Sequence, residues 1–281
     1  MKFGYVENKD CFQITALYTA FSQSLESDYY FPGECHNFWE LVIVTEGEIG
    51  VTAGSNVLIL KKNQAILHEP MEFHRLWSEG NSPASIIIFS FAANKMPKYS
   101  SKTFELTSPQ TPAKLLSQIK DTFETSFINV TGFRKGNEIG ATLAIKNLEI
   151  LLLELVSQNL KTNTFVNSRI AKNYSNIINI LEENQHRNLL ISDIAKMCNM
   201  SEVNLKKTFS KYSGMGVMNY FNQLKIYSAI AMLRSGKTVC ETANSLGFSN
   251  QNYFSTVFKR ITGKAPSYYI KEEKASQFQL N

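Results

Sequence analysis

The chain has 281 residues, 43% of them hydrophobic and 19% charged, an ordinary globular mix with room for two domains. No apolar stretch reaches the roughly 18 residues of a membrane span, and no apolar run follows Met1–Tyr5 as a signal peptide requires. The four cysteines (Cys11, Cys35, Cys198, Cys240) show neither pairing nor metal spacing and read as reduced thiols of a cytoplasmic protein. The net charge of +5 is uneven: residues 1–173 hold 16 Lys/Arg against 17 Asp/Glu, and residues 174–281 hold 13 against 7. The positive excess lies wholly in the second part, which fits a polyanion partner there.

Taken in order, residues 1–30 carry Phe12, Ile14, Leu17 and Phe21, the pattern of an edge strand or a covering arm. From Cys35 to Phe91 the signal is β: Glu40–Val44, Ile49–Ala53, Val57–Leu60, Ala65–Leu67 and Ala84–Phe91, with turn chemistry at Glu46-Gly47, Gly54-Ser55-Asn56 and Gly80-Asn81-Ser82-Pro83. Short strands at such spacing predict a sandwich or small barrel. A polar loop from Pro97 to Pro112 holds one short run, Thr103–Leu106.

Helical spacing follows, with Leu115, Ile119, Phe123 and Phe127 recurring every four residues until Gly132 and Gly136. A long helix is predicted over 137–160. It has two apolar stripes: Ala141, Ile145, Leu148, Leu152 and Leu155, and Ile139, Leu143, Ile150, Leu153 and Leu160. Two stripes need two covers. One is the β domain, and the other is read as a second subunit, so a homodimer through 137–160 is expected. Residues 161–173 are polar and aperiodic and read as a linker. Tyr174–His186 is predicted helical, with Ile177, Ile178 and Leu181 inward.

From Leu190 to Tyr269 one pattern is written twice. The first copy runs Ile194-Ala195, Met200-Ser201, Leu205, Phe209, Gly214, Tyr220. The second runs Thr242-Ala243, Phe248-Ser249, Phe254, Phe258, Gly263, Tyr269. The offset is 48 residues from Ala195 to Ala243 and 49 from Leu205 to Phe254 onward, so the second copy carries one extra residue. A repeat of this size predicts two helix-turn-helix units. Ser201 and Ser249 stand at expected N-caps, and Gly247 and Asn199 stand where the turn needs a left-handed residue. Thr238-x-x-Glu241 reads as a capping box. Leu190 takes the place of Thr238 in copy one, leaving Ser192 as the candidate cap. Between the copies, Gly216–Arg234 reads as one helix with Val217, Phe221, Leu224 and Ala231 inward. About 19 residues at 1.5 Å each give roughly 28 Å, near the roughly 34 Å of one DNA turn. The outward positions of the second helix in each unit are rich in Lys, Asn, Gln, Ser and Thr. No carboxylate follows Glu202 in either one, a composition suited to phosphates and base edges.

Residues 187–271 resemble the DNA-binding domain of AraC/XylS transcription regulators. The resemblance rests on Ala243-x3-Gly247-Phe248-Ser249-x4-Phe254-x3-Phe258-Lys259-x3-Thr262-Gly263-x2-Pro266-x2-Tyr269. It implies base contacts from Val203, Lys206 and Lys207, then Gln251, Asn252 and Thr256. Thr256 stands where the family often has arginine, and Val203 offers only an apolar surface for a thymine methyl. The stretch His36-Asn37-Phe38-Trp39-Glu40, with Pro70-x3-His74, resembles the cupin fold of AraC-type sensor domains. Metal cupins pair His-x-His with a glutamate and a later histidine. Here His36, Glu40 and His74 stand at three of those places and Phe38 at the fourth.

The expectation is an α+β multidomain protein. A cupin-like β-barrel (about 1–106) and dimerisation helices (about 113–160) form a sensor over 1–160. After the 161–173 linker comes an all-α domain of seven helices over 174–281 with two helix-turn-helix units. The resemblance implies a non-enzymatic activator that binds double-stranded operator DNA, contacts RNA polymerase and responds to a small-molecule effector. Its pocket would be lined by His36, Trp39, Glu40 and His74 and closed with the help of Trp77, with no cofactor, metal or membrane partner. Two alternatives stay open: a ligand-free regulator whose barrel only dimerises, and a metal-dependent cupin enzyme fused to a DNA-binding domain.

Overall fold

The computed structural model describes residues 12–80, 82–158, 166 and 168–270. The chain divides into two units, residues 1–53 with 57–166 and residues 54–56 with 167–281. No helix among the described residues is long and apolar enough to cross a membrane.

Among the described residues, the first unit is built on ten strands: β1 (Gln13–Leu25), β2 (Trp39–Glu46), β3 (Glu48–Ala53), β4 (Asn56–Lys61), β5 (Gln64–His68), β6 (His74–Ser78), β7 (Ala84–Asn94), β8 (Thr103–Glu105), β9 (Phe123–Ser126) and β10 (Asn129–Phe133). Two helices, α1 (Thr111–Thr122) and α2 (Glu138–Ser157), complete it. The strands form a seven-stranded sheet, β8-β5-β2-β7-β1-β10-β9, and a three-stranded sheet, β4-β3-β6.

Alternation along two central strands explains the architecture. On β2, Leu41 and Ile43 belong to the core shared with α1 and α2, while Val42 and Val44 belong to the core between the sheets. On β7, Ile87, Phe89 and Phe91 join the first core, and Ile86 and Ile88 the second. Strands buried on both faces read as unbroken apolar runs, which is why Leu41–Val44 and Ile86–Phe89 lack alternation in the sequence.

Three expectations need correction here. First, β1 is neither an edge nor an arm. It lies between β7 and β10, paired with β7 from Gln13↔Asn94 to Leu25↔Ala84. Second, the helical spacing through Phe123 and Phe127 ends early. α1 stops at Thr122, whose hydroxyl donates back to the Gln118 carbonyl at 2.7 Å. Phe123 is already extended, and β9 and β10 form a hairpin whose turn residue Phe127 has φ +58° and is 95% exposed. Threonines and aromatics from Thr122 to Phe133 favour strand, and the Phe123/Phe127 interval only mimics a helical period. Third, Trp77 lies on β6 opposite Gly50, where its indole fills the space of a Cβ, 2.0 Å from it. It therefore covers β3 and does not close a pocket.

α2 covers the first core with Ala141, Leu148, Leu152 and Leu155 buried and Ile145 half-buried. Its buried Glu149 accepts from the Ile14 amide at 2.9 Å and pairs with Lys146 at 2.7 Å, which ties the helix to the start of β1. The second predicted stripe is open to solvent: Ile139 is 88% exposed, and Leu143, Ile150 and Leu153 are also exposed. Leu160 and residues 161–165 and 167 of the expected linker lie outside the described residues.

The second unit contains α3 (Arg169–Glu183), α4 (Ile191–Met197), α5 (Glu202–Ser213), α6 (Val217–Arg234), α7 (Val239–Ser245) and α8 (Gln251–Thr262). The chain turns helical again at Pro266, which suits a first helical turn. The end of the expected linker is corrected. Arg169 opens α3, capped by Ser168, and Tyr174 lies fully buried within it against Phe209 and Tyr212. On α6, Ala231 faces solvent and Leu224 is half-buried. The inward face is Val217, Tyr220, Phe221, Lys225, Ile226, Ala229, Ile230 and Leu233.

Lys225 is the unusual member of that face. Only 4% exposed, it donates to the Arg187 carbonyl at 2.6 Å and lies over the Phe221 and Phe248 rings. Burial pulls its pKa down to about 8. The unfolded chain, with an ordinary lysine pKa near 10.4, therefore binds more protons between about pH 8 and 10.5, so stability contributed here rises with pH in that window. Urea unfolding of the wild type and of Lys225→Met should show a stability difference that is flat below pH 8. Above it, the difference should shift in the wild type's favour. A shift of opposite sign would refute the assignment.

Candidate nucleic-acid interface and barrel pocket

Each helix-turn-helix unit follows from its caps. α5 begins at Ser201, whose hydroxyl accepts from the Asn204 amide at 3.3 Å, and ends at Gly214 with φ +69°. α8 begins after Asn250, not Ser249: the Asn250 side chain accepts from the Tyr253 amide at 2.7 Å. The extra residue of the second copy thus lies between its turn and its cap, so that Ser201 matches Asn250 at an offset of 49. The turns hold Asn199 at φ +53° and Gly247 at φ +64°, as expected. α7 has the full capping box between Thr238 and Glu241. In α4 the cap is Asp193, whose carboxylate accepts from the Leu190 amide at 2.9 Å, and Ser192 is not used.

All six predicted reading residues are exposed: Val203, Lys206 and Lys207 on α5, and Gln251, Asn252 and Thr256 on α8. Their freedom differs. Lys206 pairs with Glu202 at 3.7 Å, and Thr256 donates to the Asn252 carbonyl at 3.0 Å. Tyr253, half exposed on α8, is a further outward group that sequence reasoning passed over. The apolar periodicity of Phe254, Val257 and Phe258, all buried, fixes which side of α8 is free.

In the first unit, the interior face of the large sheet carries a polar row. Register pairs Thr19 with Ser90, Ser90 with Glu40, and Glu40 with His68, across β1, β7, β2 and β5. Ser90 donates to Glu40 at 2.9 Å and meets Thr19 at 2.6 Å. His74, on β6, stacks on His68 at 4.2 Å and meets the His36 ring edge-on at 4.9 Å, and His36 stacks on Phe38. A cavity of about 750 Å³ opens beside them, lined by His36, Glu40, His74, Glu34, Ser90 and Thr19 among polar groups and by Phe21, Tyr29, Phe31 and Phe38 among aromatic ones.

Three of the four predicted pocket residues therefore meet. The fourth, Trp39, does not: one residue from Glu40 on β2, it points to the opposite face, toward Tyr99 and the helix-side core. Sequence reasoning missed Thr19, His68 and Ser90, which alternation on β1, β5 and β7 reveals only once strand order is known, and Glu34, which an isolated bridge to His74 brings in.

Charge in this wall is strongly coupled. Burial alone would push the Glu40 carboxyl up, but His36 and His74 beside it hold it well below the usual carboxylate range. Burial pulls His74 down, yet Glu34 and Glu40 raise it to about 10. His68, buried and facing His74, falls to about 4. Glu72 is pushed up by burial and brought down to about 2 by His68 and Lys102.

A pocketed β domain followed by two helix-turn-helix units with cationic and amide outer faces is the make-up of a ligand-binding transcription regulator. The profile of an AraC-like ligand-binding domain matches residues 19–148, and that of a helix-turn-helix domain matches residues 194–272. The chain belongs to the AraC family of DNA-binding transcription regulators. The Msm operon regulatory protein of Streptococcus mutans is 26% identical over 261 residues, covering 89% of this chain and 90% of that protein. The transcriptional activator RhaR of Mannheimia succiniciproducens is 22% identical over 249 residues, covering 85% and 87%. Among solved structures, unsaturated fatty acid-bound ToxT from Vibrio cholerae aligns over 92% of this chain and 96% of its own, with 15% identity and a TM-score of 0.35.

Proposed function

We propose that a small-molecule effector enters the barrel pocket and alters how two subunits, joined through α2, present their reading helices to operator DNA. The bound dimer then activates transcription by contact with RNA polymerase, and the protein works in the cytoplasm. The observation that carries the DNA half of this reading is the pair of exposed outer faces on α5 and α8, free of carboxylates beyond Glu202 and opposite fully buried apolar faces. Its test is a binding isotherm of the full chain on selected duplex DNA across salt concentrations. The logarithm of the affinity should fall linearly with log salt as counterions are released. Salt-independent binding, or none to any duplex, would sink the reading.

The cavity, with a few polar groups set in a largely apolar wall, supports an effector over a barrel that serves only to dimerise, because such a body needs no pocket of this kind. No catalytic role is assigned to the wall. The dimer rests on the exposed α2 stripe, since an apolar face of four large side chains is costly to leave in water. Ile139→Glu with Ile150→Glu should convert a dimer to a monomer in sedimentation equilibrium. A wild-type chain that already sediments as a monomer at tens of micromolar would remove α2 from this role.

A further inference from the structure

The cluster at the pocket wall has a geometry that hydrogen bonding does not explain. The Nε2 atoms of His36 and His74 are buried and have no hydrogen-bond partner. Both face the same two carboxylates: His74 lies 3.3 Å from Glu40 and 3.7 Å from Glu34, and His36 lies 3.6 Å from Glu40 and 4.0 Å from Glu34. These separations exceed the usual 2.7–3.2 Å of an N–H···O bond. They approach the edge of a tetrahedron around a zinc-sized ion, about 3.3 Å for bonds of about 2.0–2.1 Å. One donor atom from each of Glu34, His36, Glu40 and His74 lies within 4.8 Å of all the others.

The surroundings fit the same purpose. Each imidazole turns its other nitrogen to a backbone carbonyl, His36 Nδ1 to Phe38 at 3.0 Å and His74 Nδ1 to Glu72 at 3.0 Å. A proton held on Nδ1 by the carbonyl leaves Nε2 as the atom that exchanges its proton for an ion, the tautomer a ligating histidine needs, with the carbonyl as its outer support. Glu40 is steadied from behind by Ser90 at 2.9 Å. Glu34 is held beside His74 by a reciprocal pair of backbone hydrogen bonds at 2.9 and 3.0 Å. Two carboxylates and two imidazoles thus face one point.

We propose that Glu34, His36, Glu40 and His74 bind one zinc-class divalent cation at the wall of the barrel pocket. Two imidazole nitrogens and two carboxylate oxygens suit zinc and its first-row neighbours better than calcium or magnesium, which favour all-oxygen shells. The inference goes beyond the regulator reading and does not rest on it, because the ion needs only these four side chains.

The test uses the full chain, stripped with a chelator, dialysed and titrated with Zn²⁺ alone by calorimetry, with metal content measured independently. One equivalent per chain is expected, and Co²⁺ in its place should give the intense visible bands of a four-coordinate centre. Glu34→Gln is half exposed in the wild type and should keep the fold, as circular dichroism can verify. It should weaken Zn²⁺ binding tenfold or more and alter the cobalt spectrum, and His36→Gln should do the same. Substoichiometric binding, or one equivalent that survives Glu34→Gln with unchanged affinity and spectrum, would mean an ion-pair cluster or an ion bound elsewhere and would overturn the proposal. Neither result bears on DNA binding, so the two readings fail separately.

Discussion

Replacing Lys207 and Asn252 together by alanine is expected to weaken operator binding a hundredfold or more. Each good base-edge contact is worth about 1–3 kcal/mol of discrimination, and about 1.4 kcal/mol is tenfold in affinity. The two residues are chosen because they are least committed within the fold. Both are exposed, and neither side chain has an ion-pair or hydrogen-bond partner among the described residues. Lys206, by contrast, is shared with Glu202, and the Thr256 hydroxyl is spent on its own helix. The single variants should differ in kind. Lys207→Ala should lower the slope of log affinity against log salt by about 1 if it meets a phosphate. Asn252→Ala should leave the slope alone and relax base preference at one position. Selection of binding sites from random duplexes, done for each variant, reads both quantities. Unchanged affinity and preference in the double variant would show that the reading surface has been misplaced.

The second large effect is on stability. Gly247→Ala should destabilise the second unit by roughly 2–4 kcal/mol, from the left-handed backbone and a steric conflict of the kind that makes single substitutions severe. A Cβ at Gly247 would come within 2.5 Å of the His186 carbonyl and 2.8 Å of the Arg187 backbone. That backbone cannot readily retreat. The Arg187 amide is bonded to Asn184 at 3.0 Å, and its carbonyl takes the buried Lys225 ammonium. Gly263 is the internal control: its φ is +73°, yet a Cβ there meets nothing within 4 Å. Gly263→Ala should cost only about 1–2 kcal/mol, the backbone term alone. Thermal unfolding of the two variants separates the terms. Equal losses would show that the turn at Gly247 has room that the packing denies.

Much of this was readable before any coordinates, and the reasons are local. The helix-turn-helix repeat declares itself because its caps and turns are chemical requirements met within four residues, as with Thr238 and Glu241. The stripes of α2 follow from helical period alone. What stayed hidden depends on long-range pairing. The interior position of β1 is set by its ladder to β7, some seventy residues away. Glu34 joins His74 only through a bridge between distant segments. Trp39 and Glu40 could not be assigned to faces until the strand order of the sheet was known. The hairpin at β9 and β10 was misread because two phenylalanines four residues apart satisfy either period. The Asn250 cap was missed because two adjacent polar residues, Ser249 and Asn250, both suit an N-cap, and only the 49-residue offset chooses between them.

That offset has a consequence for the DNA itself. One subunit carries two reading helices whose outer faces differ in composition and whose approach loops differ by one residue. A single chain therefore cannot read its site equally well in both directions. The stretch of DNA that one subunit recognises is expected to have a head and a tail.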